Sequence, residues 1–550
     1  MAAPVRILPL GGLGEIGMNC MAVECDGRIA VVDCGIMFPN EPVGVDVIAP
    51  DLSWLRARRE QVGAVFLTHG HEDHLGALPF LLRDVPAPVY GTRFTLALLR
   101  PRLEEAGVAA DLREVVPGDV RPAGPGAPLS AEFLAVTHSV PDACGLALRT
   151  PQGTVVHTGD FKIDPSPVAG RGMDLARLEA LGREGVRLLL SDSTNAERPG
   201  SSRSEAEVGP ALEEVFERAR GRVFVACFAS NVHRIQQVIS AARAFGRRVA
   251  LLGRSMEANV RTAQALGYLD LPAWMPVGLG EARELPPREL CVLTTGTQGE
   301  PRSALSRLAR GEHPDLTLAP GDVVVLSSRH IPGNEVAVGQ VVNELCRRGA
   351  DVAVEGARPL HVSGHAHEAE LRRVIALARP GHFVPIHGEY RHLARHAAHA
   401  AAEGVPGRDV LLDGDVLELT DGGVRVADER VAVGRVYTDR DALLGADIGA
   451  LVVKDRRLLA EAGLLIAVLA VERATGAVVR GPELFARGVA GFEGAEEAIR
   501  GEALRALEEL SGPARADVAE VQEALRQAVR RWFRREVGRR PTVLPVVLEL

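Results

Sequence analysis

At 550 residues the chain is longer than one hydrophobic core usually organises, which predicts about three domains. An apolar fraction of 46% is that of a globular protein, and no apolar run reaches the ~20 residues of a membrane span. The net charge of −9 argues against a surface coated for nucleic-acid binding while leaving room for a local basic channel.

The N-terminus, MAAPVRILPLGG, has neither a basic start nor a long apolar core, so no secretory signal is read there. Short β runs follow: VRILPL, MAVEC, a hairpin turn at Asp26-Gly27, and RIAVVDCG. Between the first two lies GGLGEIG, in which Gly12, Gly14 and Gly17 match a dinucleotide-binding spacing. That motif needs a helix next, and a β hairpin comes instead, so a tight glycine turn beneath a site is the better reading. Further strands are AVFLT, EFLAVTHS, TVVHTGDF and RLLLSDS, with helices at LGALPFLLRDV and TLALLRPRLEEAG. Of the seven cysteines, Cys20, Cys25, Cys34, Cys227, Cys291 and Cys346 sit in or near apolar runs without CxxC spacing. Reduced core thiols and a cytoplasmic, reducing location are expected.

From about residue 205 to 355, strands and helices alternate regularly: RVFVACF, RVALLG, ELCVLTTG, DVVVLSS and ADVAVEG, with helices between them. This spacing implies βαβ units and a parallel sheet, whose ligand loops lie beyond the strand C-termini. The chain then returns to strand–loop pieces, HVSGHAHE and HFVPIHGEY. All sixteen histidines lie between His69 and His399, so the last hundred residues hold no histidine site. AGLLIAVLAV reads there as a buried strand, Asp517-x-x-Glu520 as a capping box, Gly538 as a helix stop and TVLPVVLEL as a last strand. In the arginine-rich segment 526–540, Leu525, Ala528, Val529 and Trp532 form an apolar stripe. That predicts a solvated or oligomer-facing helix rather than an RNA contact.

The densest chemical signal is THGHEDHLG, a strand-to-helix loop holding His69, His71, Asp73 and His74. A turn can aim neighbouring imidazoles and carboxylates at two nearby points, and such donors suit zinc or manganese. His138, Asp160 and His387 each end a short apolar run, so each can reach the same sheet edge. Together they supply ligands for two metals, with Asp160 as the natural bridge. His157 is out of phase and reads as structural. Asp33 reads as an acceptor orienting a ligand histidine. The signature gives hydrolysis of esters, lactams or phosphodiesters without choosing among them.

These residues resemble the metallo-β-lactamase superfamily, and the βαβ insertion before His387 resembles the β-CASP nucleases. LGGLGEIGMN, THGHEDHLGALPFLL, VTHSVPDACG, HTGDFKIDP, FASNVHRIQ, GRSMEANV, TTGTQGEP and IPGNE are similar to the bacterial ribonuclease J family along nearly the whole chain. The resemblance implies an αββα sandwich (residues 1–205 and 355–435), an inserted parallel-sheet domain (206–354), a linker (436–450) and a small C-terminal α/β domain (451–550). It implies two Zn2+, or another divalent metal such as Mn2+. His69, His71 and His138 would hold one ion, Asp73, His74 and His387 the other, and Asp160 would lie between. His365 would be the general acid, oriented by Asp192, with Asp73 also in the catalytic group. It further implies 5′→3′ exonuclease and some endonuclease activity on single-stranded RNA, in RNA decay and maturation. An oligomer through the C-terminal domain and contacts with other RNA-decay proteins are implied too. A 5′-phosphate pocket is expected from Ser230, Asn231, His233, Arg234, His361, Ser363, Gly364 and His365, with a simple helix cap at Ser230 or Asn231 as its competitor. One departure from the family pattern is Arg329-His330, where Ser-Pro is expected. Two other readings stay open: a small-molecule metallohydrolase, which gives no reason for the insertion, and a non-catalytic RNA-binding paralogue, which would have lost ligands.

Overall fold

The computed structural model describes residues 3–39, 44–168, 171–329, 334–353, 358–438 and 448–550. His330 and most of the expected linker, residues 439–447, lie outside them. Two compact units emerge: 1–40 with 47–435, and 41–46 with 436–550.

The first unit is built on two sheets packed face to face. One has eight strands in the order Gly423–Arg430, Asp415–Thr420, Val5–Gly11, Cys20–Cys25, Arg28–Cys34, Val62–Phe66, Val89–Thr92 and Leu112–Val115. The other has seven: Gly407–Arg408, His382–Ile386, Val186–Asp192, Gly153–His157, Cys144–Thr150, Ser130–Ala135 and Val120–Pro122. Side chains alternate across each sheet, so every strand serves two cores. Val5, Ile7, Val23 and Phe66 meet Phe133, Leu146, Leu190 and Val384 between the sheets. Leu8, Val31 and Val65 instead face helical Leu78, Leu81 and Leu99. Ala147, Val156 and Leu189 face Leu178, Leu371 and Ile375. This is the expected αββα sandwich. Each of the large side chains so buried contributes about 1.5–3 kcal/mol.

The inserted sheet is wholly parallel, ordered Pro276–Val277, Arg248–Leu252, Leu290–Thr294, Val223–Ala226, Val323–Leu326 and Asp351–Ala353. Cys346 departs from the expected core thiol and is exposed. On the helix Glu335–Arg347, Val341 and Leu345 face inward, and the next position turns out to solvent. HVSGHAHE holds no strand: its backbone is tied sideways, with Ala366 N donating to Phe161 O (2.7 Å). Helices Glu368–Ala378 and Tyr390–Ala402 cover the seven-stranded sheet in this region, where only strand–loop pieces were expected.

In the second unit, Leu464–Val471 is the middle strand of three, flanked by Val478–Arg487 and Thr542–Glu549. It alternates between buried and half-buried residues and is not buried throughout. Its buried side packs on Glu496–Glu508 and Val518–Glu536, so the stripe Leu525, Ala528, Val529 and Trp532 is consumed within this unit. Asp517 caps the second of these helices, and Gly538 follows its end with φ of +69°. Among the described residues no helix is long and apolar enough to cross a membrane.

Candidate metal centre and catalytic site

Strands Val62–Phe66, Ser130–Ala135, Gly153–His157 and His382–Ile386 all end at one edge of the sandwich. The residues just beyond them are His69, His138, Asp160 and His387. The loop after the first strand adds His71 and the four-residue helix Glu72–Leu75, which carries Asp73 and His74.

Residues flanking the hairpin strands hold this loop from beneath, while the glycine turn pairs with the residues after His387, Leu13 with Gly388. A Cβ at Gly35 would lie 1.8 Å from the Asp73 carbonyl oxygen, so only glycine lets the two backbones meet. Asn19 N donates to Asp73 O (2.9 Å), and Asn19 Nδ2 lies 3.1 Å from both Asp73 O and His74 Nε2. Asp33 accepts from Thr68 N (2.8 Å) and Thr68 Oγ1 (2.7 Å), and its Oδ2 lies 2.8 Å from His74 Nδ1. That contact fixes which imidazole nitrogen faces the site.

The structure brings all seven expected ligands together. His69, His71, His138 and Asp160 offer donor atoms within 4.8 Å of one another, as do Asp73, His74, Asp160 and His387. His71 Nδ1 lies 3.0 Å from His69 Nε2 and 3.2 Å from His138 Nε2. Asp160 stands between the groups: Oδ2 is 3.2 Å from His74 Nε2 and 3.7 Å from His69 Nε2, and Oδ1 is 2.7 Å from His387 Nδ1. His138 Nδ1 is turned to Gly364 O (2.8 Å), leaving Nε2 for the site.

Burial holds His69 and His138 well below the ordinary imidazole range, and His71 down to about 4. Neutral imidazoles keep the lone pair a metal needs. Burial also opposes charge on His74 and His387, but Asp160 leads the neighbouring carboxylates in outweighing it. His74 is raised well above the ordinary value and His387 to about 10.

His365 Nδ1 lies 2.8 Å from Asp192 Oδ2. Asp192 is buried, and its Oδ1 accepts from Thr194 N and Oγ1. Burial works against a charged His365, and Asp192 outweighs it, raising the imidazole. Asp160, Asp192, His365 and His387 also cluster within 4.8 Å, so the pair adjoins the second ligand group.

The expected 5′-phosphate residues divide. Arg234 is fully buried: it pairs with Glu205 (2.7 Å) and donates to Ser327 O (2.9 Å) and Ser327 Oγ (2.6 Å). Its charge is consumed inside the fold, which removes it as a phosphate donor. Asn231 is buried and accepts from Arg234 N (3.0 Å), so the simple cap accounts for it. Ser363 Oγ accepts from Asn195 Nδ2 (2.8 Å) and His365 N (3.1 Å), and Gly364 serves His138. Ser230, His233 and His361 are half-buried. His157 accepts from Gly159 N (3.1 Å), a structural role.

Sequence reasoning did not single out Arg198 or Arg329. Arg198 Nε donates to Asn195 Oδ1 (3.0 Å), and its charge is disfavoured by burial and by Arg329. Neither arginine pairs with a carboxylate among the described residues. Nearby, Ser328 Oγ and His367 Nε2 are buried without a hydrogen-bond partner. The signal lay in SDSTNAERPG, where Arg198 follows Asp192 by six residues.

Comparison with known proteins agrees with this geometry. The chain matches the metallo-beta-lactamase superfamily over residues 13–183 and the ribonuclease J beta-CASP domain over 220–345. It matches a Zn-dependent metallo-hydrolase RNA specificity domain over 351–409 and the ribonuclease J C-terminal domain over 451–550. It is 41% identical to ribonuclease J of Mycolicibacterium smegmatis, over 99% of this chain and 97% of that one. It is 38% identical to ribonuclease J2 of Bacillus subtilis, over 99% of each. A solved Enterococcus faecalis protein of unknown function shares the fold at TM-score 0.54 and 16% identity, over 76% of this chain and 100% of that one. The chain belongs to the ribonuclease J family and is a metal-dependent enzyme that hydrolyses RNA phosphodiesters.

Proposed function

We propose that this ribonuclease degrades single-stranded RNA from the 5′ end, favours a 5′-monophosphate and makes some internal cuts. We keep the sandwich, insert and C-terminal domain at the boundaries expected from sequence, and a cytoplasmic location, which the buried free thiols support.

His69, His71 and His138 would hold one ion, Asp73, His74 and His387 a second, with Asp160 between them. Imidazole and carboxylate donors without thiolate suit Zn2+ first and Mn2+ next. Two such ions supply Lewis-acid stabilisation of charge developing at phosphorus and ease deprotonation of water. The chain's own residues do the rest. With Nδ1 held by Asp192, His365 has Nε2 left to carry a proton to the leaving 3′ oxygen, and Asp192 stabilises the protonated ring beforehand. Departure of that oxygen leaves a 5′-monophosphate on the shortened RNA, the same end the next round requires.

The observation that carries the 5′-end reading is Arg198 and Arg329 beside the loop bearing His365, neither paired with a carboxylate among the described residues. They supply the charge that Arg234 cannot, with Ser230, His233, His361 and Ser363 as further donors. The test compares decay of one RNA with 5′-monophosphate, 5′-triphosphate and 5′-hydroxyl ends. The monophosphate should decay fastest, and Arg198→Ala with Arg329→Ala should narrow that preference at unchanged metal content. Equal exonucleolytic rates on all three ends would sink the reading.

The second unit supports a homodimer or higher oligomer. On its sheet Phe485, Leu544 and Leu548 are 56%, 49% and 50% exposed, an apolar group suited to a second copy. Sedimentation of a chain ending near residue 450 should show a smaller assembly.

A further inference from the structure

The hairpin beneath the metal loop carries a feature that RNA hydrolysis does not use. Cys20 opens the strand Cys20–Cys25, Cys34 closes the strand Arg28–Cys34, and the two are direct partners in the antiparallel register. They are 2% and 0% exposed and belong to one packed cluster. Paired residues in a regular ladder have Cα atoms about 4.5–5.5 Å apart, inside the ~4.4–6.8 Å a disulfide spans; here a one-residue bulge at Asp33, with φ of +58°, adjoins the pair. The adjacent Cys34 thiol and burial push the Cys20 thiol well above its ordinary value. No other two cysteines face each other in a strand register among the described residues.

The neighbours of this pair matter most. Asn19, one residue before Cys20, holds Asp73 and His74. Asp33, one residue before Cys34, holds Thr68 and His74. Gly35, one residue after it, donates to Asn19 O (3.0 Å) and lies against the Asp73 backbone. Cys20 also lines a cavity of about 20 Å³ with Asn19, Asp33, His74, Asp160 and His387. That is room for one water-sized molecule beside Cys20, whereas the two sulfurs pack on the opposite, helix-covered face of the strands, so their oxidation waits on local opening.

We propose that Cys20 and Cys34 form a dithiol modification site, which hydrogen peroxide or a comparably small peroxide converts to a disulfide that disables the metal loop. The sulfur of Cys20 attacks the peroxide; an S–O bond forms, the O–O bond breaks, and one water leaves. The sulfur of Cys34 then displaces the oxygen of the Cys20 sulfenic acid; the S–S bond forms, the S–O bond breaks, and a second water leaves. Both thiol protons end in water, and two electrons pass to the peroxide. Thiols kept protonated react slowly, so the site answers sustained exposure rather than a brief pulse. Closing the sulfurs to about 2.05 Å draws the two strand ends together. Asn19 and Asp33 move with them, and displacing His74 by about 1 Å is enough to cost ~10²-fold in rate.

The test uses full-length, metal-loaded protein exposed to hydrogen peroxide, with peptide mapping under non-reducing conditions. The expected result is a Cys20–Cys34 cross-link, a chain lighter by two hydrogen atoms and a ~10²-fold activity loss that dithiothreitol reverses. Cys34→Ser, with Cys20→Ala as a second variant in case one fails to fold, should keep its activity through the same exposure. The wild-type peptide map decides even if neither variant folds. A map without the cross-link after prolonged oxidation overturns the proposal. So does a cross-linked protein of unchanged activity, or equal inactivation of a folded variant.

Discussion

The two ligand groups share Asp160 and the same sandwich edge, yet their electrostatics are opposite. Around His69, His71 and His138 burial dominates, and the imidazoles are held neutral. Around His74 and His387 the carboxylates of Asp160, Asp73 and Asp33 or Asp192 dominate, and the imidazoles are held charged. One half presents lone pairs ready for a cation. The other presents negative charge that protons neutralise until a cation displaces them. Equal ligand counts therefore do not make equal sites.

Removing the shared residue should erase the contrast. Asp160→Ala is expected to lose metal from both halves and to abolish RNA cleavage. Elemental analysis finding one full metal equivalent would show that one group stands without it. His365→Ala tests the group outside both halves: single-turnover cleavage should fall by ~10²–10⁴ with metal content retained. An unchanged rate would reject His365 as the acid. Asp33→Asn acts directly on His74, and on the other half only through Thr68, whose Oγ1 lies 3.1 Å from His69 Nδ1. It should weaken metal binding in the second half by about 10–100-fold and in the first half by less. Equal weakening of both would mean that Asp33 supports the loop as a whole.

The contrast also sets the dependence on pH. His74 is raised well above its ordinary value and His387 to about 10, so near neutral pH a metal entering the second half must displace protons, and its affinity should rise with pH, by up to about tenfold per unit per proton. His71 is lowered to about 4, so above that value the first half has few protons to displace and its affinity should be nearly flat. Cobalt titrations between pH 6 and 8 should resolve one steep and one shallow affinity. Two parallel slopes would break the comparison.

The candidate ligands were legible in sequence because they follow short apolar strands, and strands that end at one sheet edge deliver their next residues to one place. Asp33 ends a strand in the same way, Asp192 came from the family resemblance, and the dinucleotide motif failed because a hairpin rather than a helix follows it. It failed at Arg234 because a helix-start arginine looks alike whether it meets a phosphate or a buried carboxylate. Its partner Glu205 lies 29 residues earlier in sequence, beyond any local pattern. Arg198 was missed for the converse reason: its interest is the lack of a carboxylate partner, which only the assembled fold displays. HVSGHAHE misled because its polar backbone is satisfied by other segments rather than by a ladder of its own.

The placing of the insert between Asp160 and His365 also sets an order in time. A ribosome making this chain completes the His69 loop, His138 and Asp160 about 200 residues before it reaches His365, and His387 comes later still. At about 5–20 residues per second that interval is roughly 10–40 s. Throughout it the nascent chain sits beside its own messenger holding only part of the hydrolytic centre. The long detour through the parallel sheet thus makes the centre one that can be completed only late in synthesis, when the candidate proton donor and the last candidate ligand emerge within about 20 residues of each other.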